Sequence, residues 1–108
     1  MVIVVFRNRF KPDADLTAYL ELALKMYELV SRHPGFISME SFQTPDDEHV
    51  SIEYFDSDES AVSWRNHPEH LEAQRRGREE FYSWYSVSTS EVTRSHEMNL
   101  SGDHSANR

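Results

Sequence analysis

Residues 58–85 read DESAVSWRNHPEHLEAQRRGREEFYSWY, and this stretch decides the fold. Pro68 divides it into a short helical segment and a longer one, because proline suits the first turn of a new helix. His67, directly before the proline, is the predicted cap of the second helix. Five aromatic side chains lie among many charges here, so something must cover them: a ligand, a second subunit or the sheet of the same domain.

The rest of the chain alternates between strand and helix patterns. Strands are predicted over 2–10, 36–42, 50–55 and 87–94, and helices over 15–32, 56–66 and 68–82. Asp56, followed three residues later by Glu59, is the predicted cap of the short helix. The order strand, helix, strand, strand, helix, strand is that of a ferredoxin-like α+β domain, whose antiparallel sheet carries the helices on one face.

Apolar residues occupy both phases of several strands. Val50, Ile52 and Tyr54 alternate with Ser51 and Glu53, which predicts one buried face. Other apolar residues lie out of phase with the main apolar set: Ile3, Val5, Ile37, Met39 and Phe55. A sheet with two apolar faces needs a cover on the side without helices, so the sequence predicts a homodimer formed by sheet packing.

Length and composition indicate one globular domain, expected over residues 1–95, with a polar, disordered tail over 96–108. The chain has no cysteine, which excludes disulfides and zinc–thiolate sites. Its start, MVIVVFRNRF, is too short and too soon interrupted by arginine to be a signal peptide, and no window suits a membrane span. We therefore expect a cytoplasmic protein without a membrane partner.

The net charge of −8 argues against nucleic-acid binding, because the overall field repels polyanions. The basic run Arg75, Arg76 and Arg78 is interleaved with glutamates at helical spacing, which favours a salt-bridged, solvated face. His67 and His70 lie three residues apart, but they match no helical metal motif, so no metal site is predicted. His70 remains chemically suited to proton transfer, since histidine titrates near neutrality.

Two polar groups stand out on otherwise apolar surfaces. Asn8 shares one face of the first strand with Val2, Val4, Phe6 and Phe10, so its amide must find partners in a loop or in a cavity. Trp64 on the short helix is either a core residue or the wall of a flat aromatic pocket, where its indole N–H makes a directional contact.

The long helix carries a further candidate surface. Gln74, Arg78 and Tyr82 follow Leu71 on one side, and Gly77 allows close approach there. Arg78 beside a tyrosine suits an anionic or phenolate oxygen, although it could equally pair with Glu53 or Glu91 across the sheet.

Four sequence motifs follow one another along the chain: F-R-N-R-F, H-P-G-F, I-E-Y-F followed by D-S-D-E-S-A-V-S-W-R, and E-H-L-E-A-Q-R-R-G-R-E-E-F-Y. With them, residues 1–95 resemble the antibiotic biosynthesis monooxygenase domain family, small dimeric α+β-barrel proteins with a ferredoxin-like protomer. The family includes oxygenases that act on phenolic polyketides without a cofactor, and a branch that degrades haem. The resemblance therefore implies either cofactor-free oxygenation or haem degradation. The family also contains many members with no established activity.

The haem-degrading branch has an asparagine on the first strand, a tryptophan on the second helical region and an iron-binding histidine about three turns further along. Asn8 and Trp64 are similar to the first two. The iron-ligand position falls at Gln74, a poor haem ligand, and His70 one turn earlier is the possible substitute.

The cofactor-free branch needs a site that binds a flat ring, favours its anion and excludes water. The resemblance implies Asn8 and Trp64 as hydrogen-bond donors, with Arg78, Tyr82 or His70 favouring the anion. We therefore expect catalytic roles for Asn8, Trp64 and His70, and substrate binding by Gln74, Arg78 and Tyr82.

The favoured interpretation is a monooxygenase that oxidises a small aromatic or phenolic substrate with O2 and no bound cofactor. Haem binding or degradation ranks second. A non-catalytic dimer that binds a small ligand is the third interpretation, because fold does not determine function.

Overall fold

Four strands form one antiparallel sheet in the order β2-β3-β1-β4. The computed structural model describes residues 1–100, and its elements are β1 (Val2–Phe10), α1 (Leu16–Ser31), β2 (Phe36–Gln43), β3 (His49–Phe55), α2 (Asp58–Arg65), α3 (Pro68–Arg76), a π-helical turn (Gly77–Phe81) and β4 (Tyr82–Glu91). The predicted ferredoxin-like α+β class is confirmed.

Side-chain caps start all three helices. Asp15 accepts a hydrogen bond from the Ala18 N–H at 3.0 Å and begins α1. His67 accepts one from the Glu69 N–H at 3.2 Å through Nδ1 and begins α3, as predicted. The predicted cap of α2 was wrong: Ser57 caps that helix. A capping side chain accepts a hydrogen bond from a backbone N–H group in the first turn of the helix. The carboxylate of Asp56 instead accepts one from the side-chain hydroxyl of Ser60.

The second helical region ends earlier than the sequence predicts. It changes from α3 into the π-helical turn at Gly77, and β4 begins at Tyr82 rather than at residue 87. The sequence YSWYSV is rich in aromatic residues and ends on a β-branched one, a composition typical of strands that the neighbouring helical charges obscured. A β-carbon on Gly77 would lie 2.4 Å from Cε2 of Tyr82, so the glycine allows that ring to pack against the turn.

The register of β1 with β3 decides which side chains face the helices. Val2 lies opposite Phe55 and Val4 opposite Glu53, and Phe55 is fully buried beneath the helices with Val2, Val30, Ala61 and Trp64. Val50, Ile52 and Tyr54 lie on the other face, opposite Arg7, Val5 and Ile3. Met39 and Phe55 therefore face the helices, and their predicted place on the open face with Ile3 and Val5 was wrong.

The remaining expectations concern the ends of the chain. Residues 92–100 form no helix or strand, and residues 101–108, part of the predicted 96–108 tail, lie outside the described residues. The domain boundary at residue 95 stays a prediction. Among the helices of residues 1–100, none combines the length and the apolar character needed to cross a membrane.

Gly35 connects α1 to β2 at a point where no side chain fits. Its φ is +89°, its carbonyl accepts from the Asp56 N–H at 2.8 Å, and a β-carbon there would lie 2.1 Å from the Ser60 hydroxyl. Gly35→Ala should lower the free energy of unfolding by roughly 2–4 kcal/mol, through backbone strain and the clash together. Urea unfolding measures this. Ser63→Ala on the exposed side of α2 is the control, and an equal effect of both variants contradicts the prediction.

Candidate functional site

A cavity of about 700 Å³ lies between the sheet and the helices. The sheet contributes Val4, Phe6, Glu53 and Tyr85, among others, and the walls come from α1, α2, α3 and the π-helical turn. Five of the six predicted site residues line it: Trp64, His70, Gln74, Arg78 and Tyr82. The roles expected for them stay predictions.

Trp64 and His70 form a stacked pair in the cavity wall. Their ring centroids are 4.4 Å apart with planes inclined by 15°, and His70 Nδ1 lies 3.1 Å from the Trp64 carbonyl oxygen. A carbonyl only accepts, so Nδ1 carries the proton and Nε2 keeps a free lone pair. Burial lowers the pKa of His70 to about 4, despite the hydrogen bond to the Trp64 carbonyl. His70 is therefore neutral at physiological pH and can offer an acceptor, not a positive charge.

Gln74 holds the junction between the two helices. Its Nε2 donates to the Arg65 carbonyl oxygen at 2.9 Å and lies 3.3 Å from His70 Nδ1. The amide thus satisfies a carbonyl group at the C-terminal end of α2. With the proton of His70 on Nδ1, the contact between Gln74 Nε2 and Nδ1 joins two donors and is not a hydrogen bond.

Two buried donors have no partner within residues 1–100: Asn8 Nδ2 and Trp64 Nε1. Each side chain is only 2% exposed, and an unpaired buried donor costs about 1–3 kcal/mol. Trp64 belongs to the buried cluster around Val2, whereas Asn8 lies six residues, roughly 20 Å, further along β1. Asn8 is not among the lining residues of the cavity. The structure therefore does not place the two donors side by side.

Tyr82 enters the cavity from the first position of β4 and joins a cluster of aromatic rings. Its ring centroid lies 5.4 Å from that of Phe6, 5.9 Å from that of Tyr85 and 6.1 Å from that of Tyr19. Burial raises the pKa of the Tyr82 hydroxyl, and the neighbouring Tyr19 raises it further. Burial also raises the pKa of Tyr19, although its hydrogen bond with Tyr82 partly opposes this. Both phenols are neutral near pH 7 and can donate hydrogen bonds.

Arg78 differs from the other two arginines of the basic run. Arg75 pairs with Glu72 and Glu79, and Arg76 pairs with Glu80. Arg78 is exposed, lines the cavity and forms no salt bridge within residues 1–100, so the predicted alternative pairing with Glu53 or Glu91 is not formed. A cation without a carboxylate partner therefore lies at the edge of the cavity.

Glu53 is the cavity residue that the sequence analysis missed. It lies in the middle of β3, opposite Val4 on β1 and Met39 on β2, and its carboxyl group has no hydrogen bond or ion pair within the described part of the chain. Burial raises its pKa to about 7. Glu53 lies two residues before the buried Phe55 and therefore on the same face of β3, and this spacing could have revealed it. The alternation of the apolar residues Val50 and Ile52 instead predicts that the other face of β3 is buried.

Within residues 1–100, the side chains form no cluster of metal ligands. No three histidine or carboxylate groups in this part of the chain lie close enough together to hold a metal ion, and the ring of His67 caps α3. Gln74, at the position expected for a haem ligand, uses its amide on the Arg65 carbonyl. Of the two candidates for an axial ligand, only His70 keeps a nitrogen lone pair, at Nε2, and Trp64 stacks on one face of its ring.

The model of the antibiotic biosynthesis monooxygenase family matches residues 1–76 of the chain. A relative from Bacillus subtilis (strain 168), the uncharacterized protein YqjZ, is 36% identical over 91 residues, which cover 84% of this chain and 78% of the relative.

Solved structures share the fold at lower identity. Rv0793 from Mycobacterium tuberculosis superposes with a TM-score of 0.77 at 22% identity, covering 89% of this chain and 98% of that one. A structure solved as an antibiotic biosynthesis monooxygenase has a TM-score of 0.75 at 14% identity, covering 87% of this chain and all of the other (100%).

The raised pKa of Glu53 predicts a pH-dependent cost to stability. Because the folded-state pKa of about 7 exceeds the ordinary 4.5, the unfolded chain ionises first as the pH rises, and stability is lost between about pH 4.5 and 7. Glu53→Gln should therefore be more stable than the wild type by up to about 3 kcal/mol at pH 8, and equal to it at pH 4.

Urea unfolding at the two pH values measures this difference. The control is Glu40→Gln on β2, which is exposed and lies opposite Ile52 on the other face of the sheet. A Glu53→Gln protein no more stable than the wild type at pH 8 would contradict the assignment of a buried, unpaired carboxyl group.

Proposed function

The chain belongs to the antibiotic biosynthesis monooxygenase family, and from that premise we propose that it oxidises a small aromatic or phenolic substrate with O2, without a bound cofactor. The observation that carries the proposal is the cavity of about 700 Å³, lined by aromatic rings and by the Trp64 indole, whose N–H has no partner within residues 1–100. A flat ring fits such walls, and an oxygen on that ring would satisfy the orphan donor.

The proposed chemistry needs little from the protein beyond binding and electrostatics. A deprotonated, electron-rich phenol can give one electron to O2, and the two radicals then combine at a ring carbon. When that carbon carries one hydrogen, as the carbon of a ring CH2 group does in the enol tautomer, loss of water from the resulting hydroperoxide leaves a carbonyl, so one oxygen atom enters the product and the other leaves as water. A dry cavity favours this sequence because it keeps the radical pair from water.

The charge state of each side chain determines how it can bind the ring or stabilise its anion. Trp64 would donate its N–H to the phenolate oxygen, after a small shift of a neighbouring side chain, because Nε1 has almost no accessible surface. Arg78 would favour the anion from the edge of the cavity, and the neutral Tyr82 hydroxyl would donate a hydrogen bond. His70, being neutral, would orient the indole and accept a hydrogen bond through Nε2. Asn8 does not line the cavity, so we propose no contact between its amide and the ring.

The haem interpretation would have only His70 Nε2 as an axial ligand, because a glutamine occupies the expected ligand position and is bound to the Arg65 carbonyl. We therefore expect titration with haemin to give no saturable Soret band. A sharp band that is lost in His70→Ala would favour haem over the cofactor-free reaction.

We propose that the protein is a homodimer that pairs the sheet faces lacking helices. That face carries Ile3, Val5, Val50 and Ile52, and two of its large side chains, Phe42 and Trp84, are 55% and 41% exposed. Burying such a patch is favourable by about 25 cal/mol per Å² of apolar area. Cover on this side would also stiffen the floor of the cavity.

Trp64→Phe tests the role of the indole N–H, because it removes the donor and keeps a ring. With hydroquinone and anthrone as substrates, oxygen uptake should fall roughly 10- to 100-fold in kcat/KM, the loss expected for one hydrogen bond to a developing charge. Trp84→Phe on the opposite face is the control and should keep wild-type rates. If wild-type protein binds these compounds tightly and consumes no oxygen, the non-catalytic binding protein is the correct interpretation.

Sedimentation velocity at micromolar concentration tests the dimer. We expect wild-type protein to sediment as a dimer and Ile52→Lys to sediment as a monomer, because the lysine charge would be buried in the interface. Leu24→Lys, at an exposed position of α1, should remain dimeric. A wild-type monomer refutes the proposal.

A further inference from the structure

One carboxyl group lies on the apolar floor of the cavity, and the reaction proposed above gives it no task. Glu53 is flanked by Val4 and Met39 on the neighbouring strands, and no side chain of residues 1–100 pairs with it. Glu48, in the loop directly before β3, is by contrast held by Arg7. The second acid that lines the cavity, Asp58, is exposed in the first turn of α2.

An unpaired carboxyl group in apolar surroundings is costly, and an apolar residue of similar size would stabilise the sheet. Such groups cluster at sites where a protein moves protons, because burial brings their pKa close to neutrality. The pKa of about 7 at Glu53 has this cause. The carboxylate is also the natural acceptor for an O–H group of a ligand that lies flat on the sheet.

We infer that Glu53 recognises a hydroxyl group on the substrate ring and accepts its proton. The inference rests on the proposed function and names its substrate class: aromatic compounds that carry an ionisable hydroxyl group as donor to Glu53 and an oxygen acceptor for the Trp64 N–H. Hydroxylated aromatic ketones and hydroquinones have both features, whereas their methyl ethers lack the donor.

The proton step balances within the cavity. The substrate O–H bond breaks, the proton moves to a carboxylate oxygen of Glu53, and the electron pair stays on the phenolate. After O2 has accepted one electron and combined with the ring, the carboxyl group returns the proton to the peroxide anion. At a ring CH carbon, including the carbon of a CH2 group in its enol tautomer, the carboxylate then takes the C–H proton, the electron pair of that bond forms the carbonyl as the O–O bond breaks, and the departing hydroxide takes the proton to become water.

Among the cavity-lining groups of residues 1–100, His70, Tyr19 and Tyr82 are not suited to take this proton near pH 7. The pKa of His70 lies at about 4, and the phenols of Tyr19 and Tyr82 hold their own protons, since burial raises their pKa. The arginines remain protonated. The other titratable or charged groups that line the cavity are Arg65 on α2, Arg78 on the π-helical turn, Asp58 on α2, Tyr27 on α1 and Tyr85 on β4.

The kinetic test compares wild type, Glu53→Gln and Glu53→Asp, with Glu40→Gln as the control on the other sheet face. Oxygen uptake is measured with hydroquinone and with chlorohydroquinone, whose hydroxyl groups are more acidic and whose ring keeps CH carbons. We expect kcat/KM for hydroquinone to fall 100-fold or more in Glu53→Gln and less in Glu53→Asp. The loss should be smaller for chlorohydroquinone, because an acidic hydroxyl needs the base less.

The pH profile separates a proton acceptor from a merely structural residue. Wild-type kcat/KM should decline below about pH 7 as Glu53 becomes protonated, and Glu53→Gln should lack this decline. Equal profiles and equal losses for both hydroquinones would overturn the inference, even if the variant is less active.

A binding experiment keeps the inference separate from the proposed function. Quenching of tryptophan fluorescence gives the affinities of hydroquinone and 1,4-dimethoxybenzene for each protein. Wild type should prefer the hydroxyl compound about 10-fold, and Glu53→Gln should lose this preference. If the wild type consumes no oxygen, the proposed function fails, and the recognition of hydroxyl groups by Glu53 then stands or falls on this preference alone.

Discussion

The register between β1 and β3 governs everything that faces the cavity. With Val2 opposite Phe55 and Val4 opposite Glu53, the buried cluster lies beneath the helices and the carboxyl group lies on the cavity floor. A slip of one residue would reverse the faces of one strand, expose Phe55 and move Glu53 to the open side. The packing of Phe55 against Val30 and Trp64 therefore fixes the position of the acid.

Burial determines the charge state of several polar groups in the cavity. Burial keeps His70, Tyr19 and Tyr82 in their neutral forms. Within residues 1–100, the charges that can act on a ligand are then few: the titrating carboxyl of Glu53 on the floor, the exposed carboxyl of Asp58 on α2, and the arginine cations Arg65 and Arg78 at the cavity wall. In surroundings of low dielectric constant, such charges act strongly on a bound ring. The protein can thus distinguish the neutral phenol from its anion by using a small number of groups.

Much of the fold could be predicted from the sequence, because local signals agreed with one another. Alternation, helical spacing and the His67–Pro68 cap all indicated a ferredoxin-like domain, and they placed β1 to the residue. Tyr82 was assigned to a helix, since charges at helical spacing continue up to residue 80 and conceal the start of β4. Glu53 was missed for a different reason: which face of β3 is buried depends on its partners, and pairing between distant strands is not a local property.

The π-helical turn has a consequence for the evolution of this scaffold. A π turn has one more residue in each hydrogen-bonded loop than an α turn has. The number of residues in Gly77–Phe81 therefore determines which side chains of the following strand point into the cavity. Losing or gaining one residue there would exchange the inward side chain Tyr82 for its neighbour, while the sheet remained intact. Relatives that differ by a single insertion in this linker would then present a cavity of altered shape, a simple route by which one fold acquires new ligands.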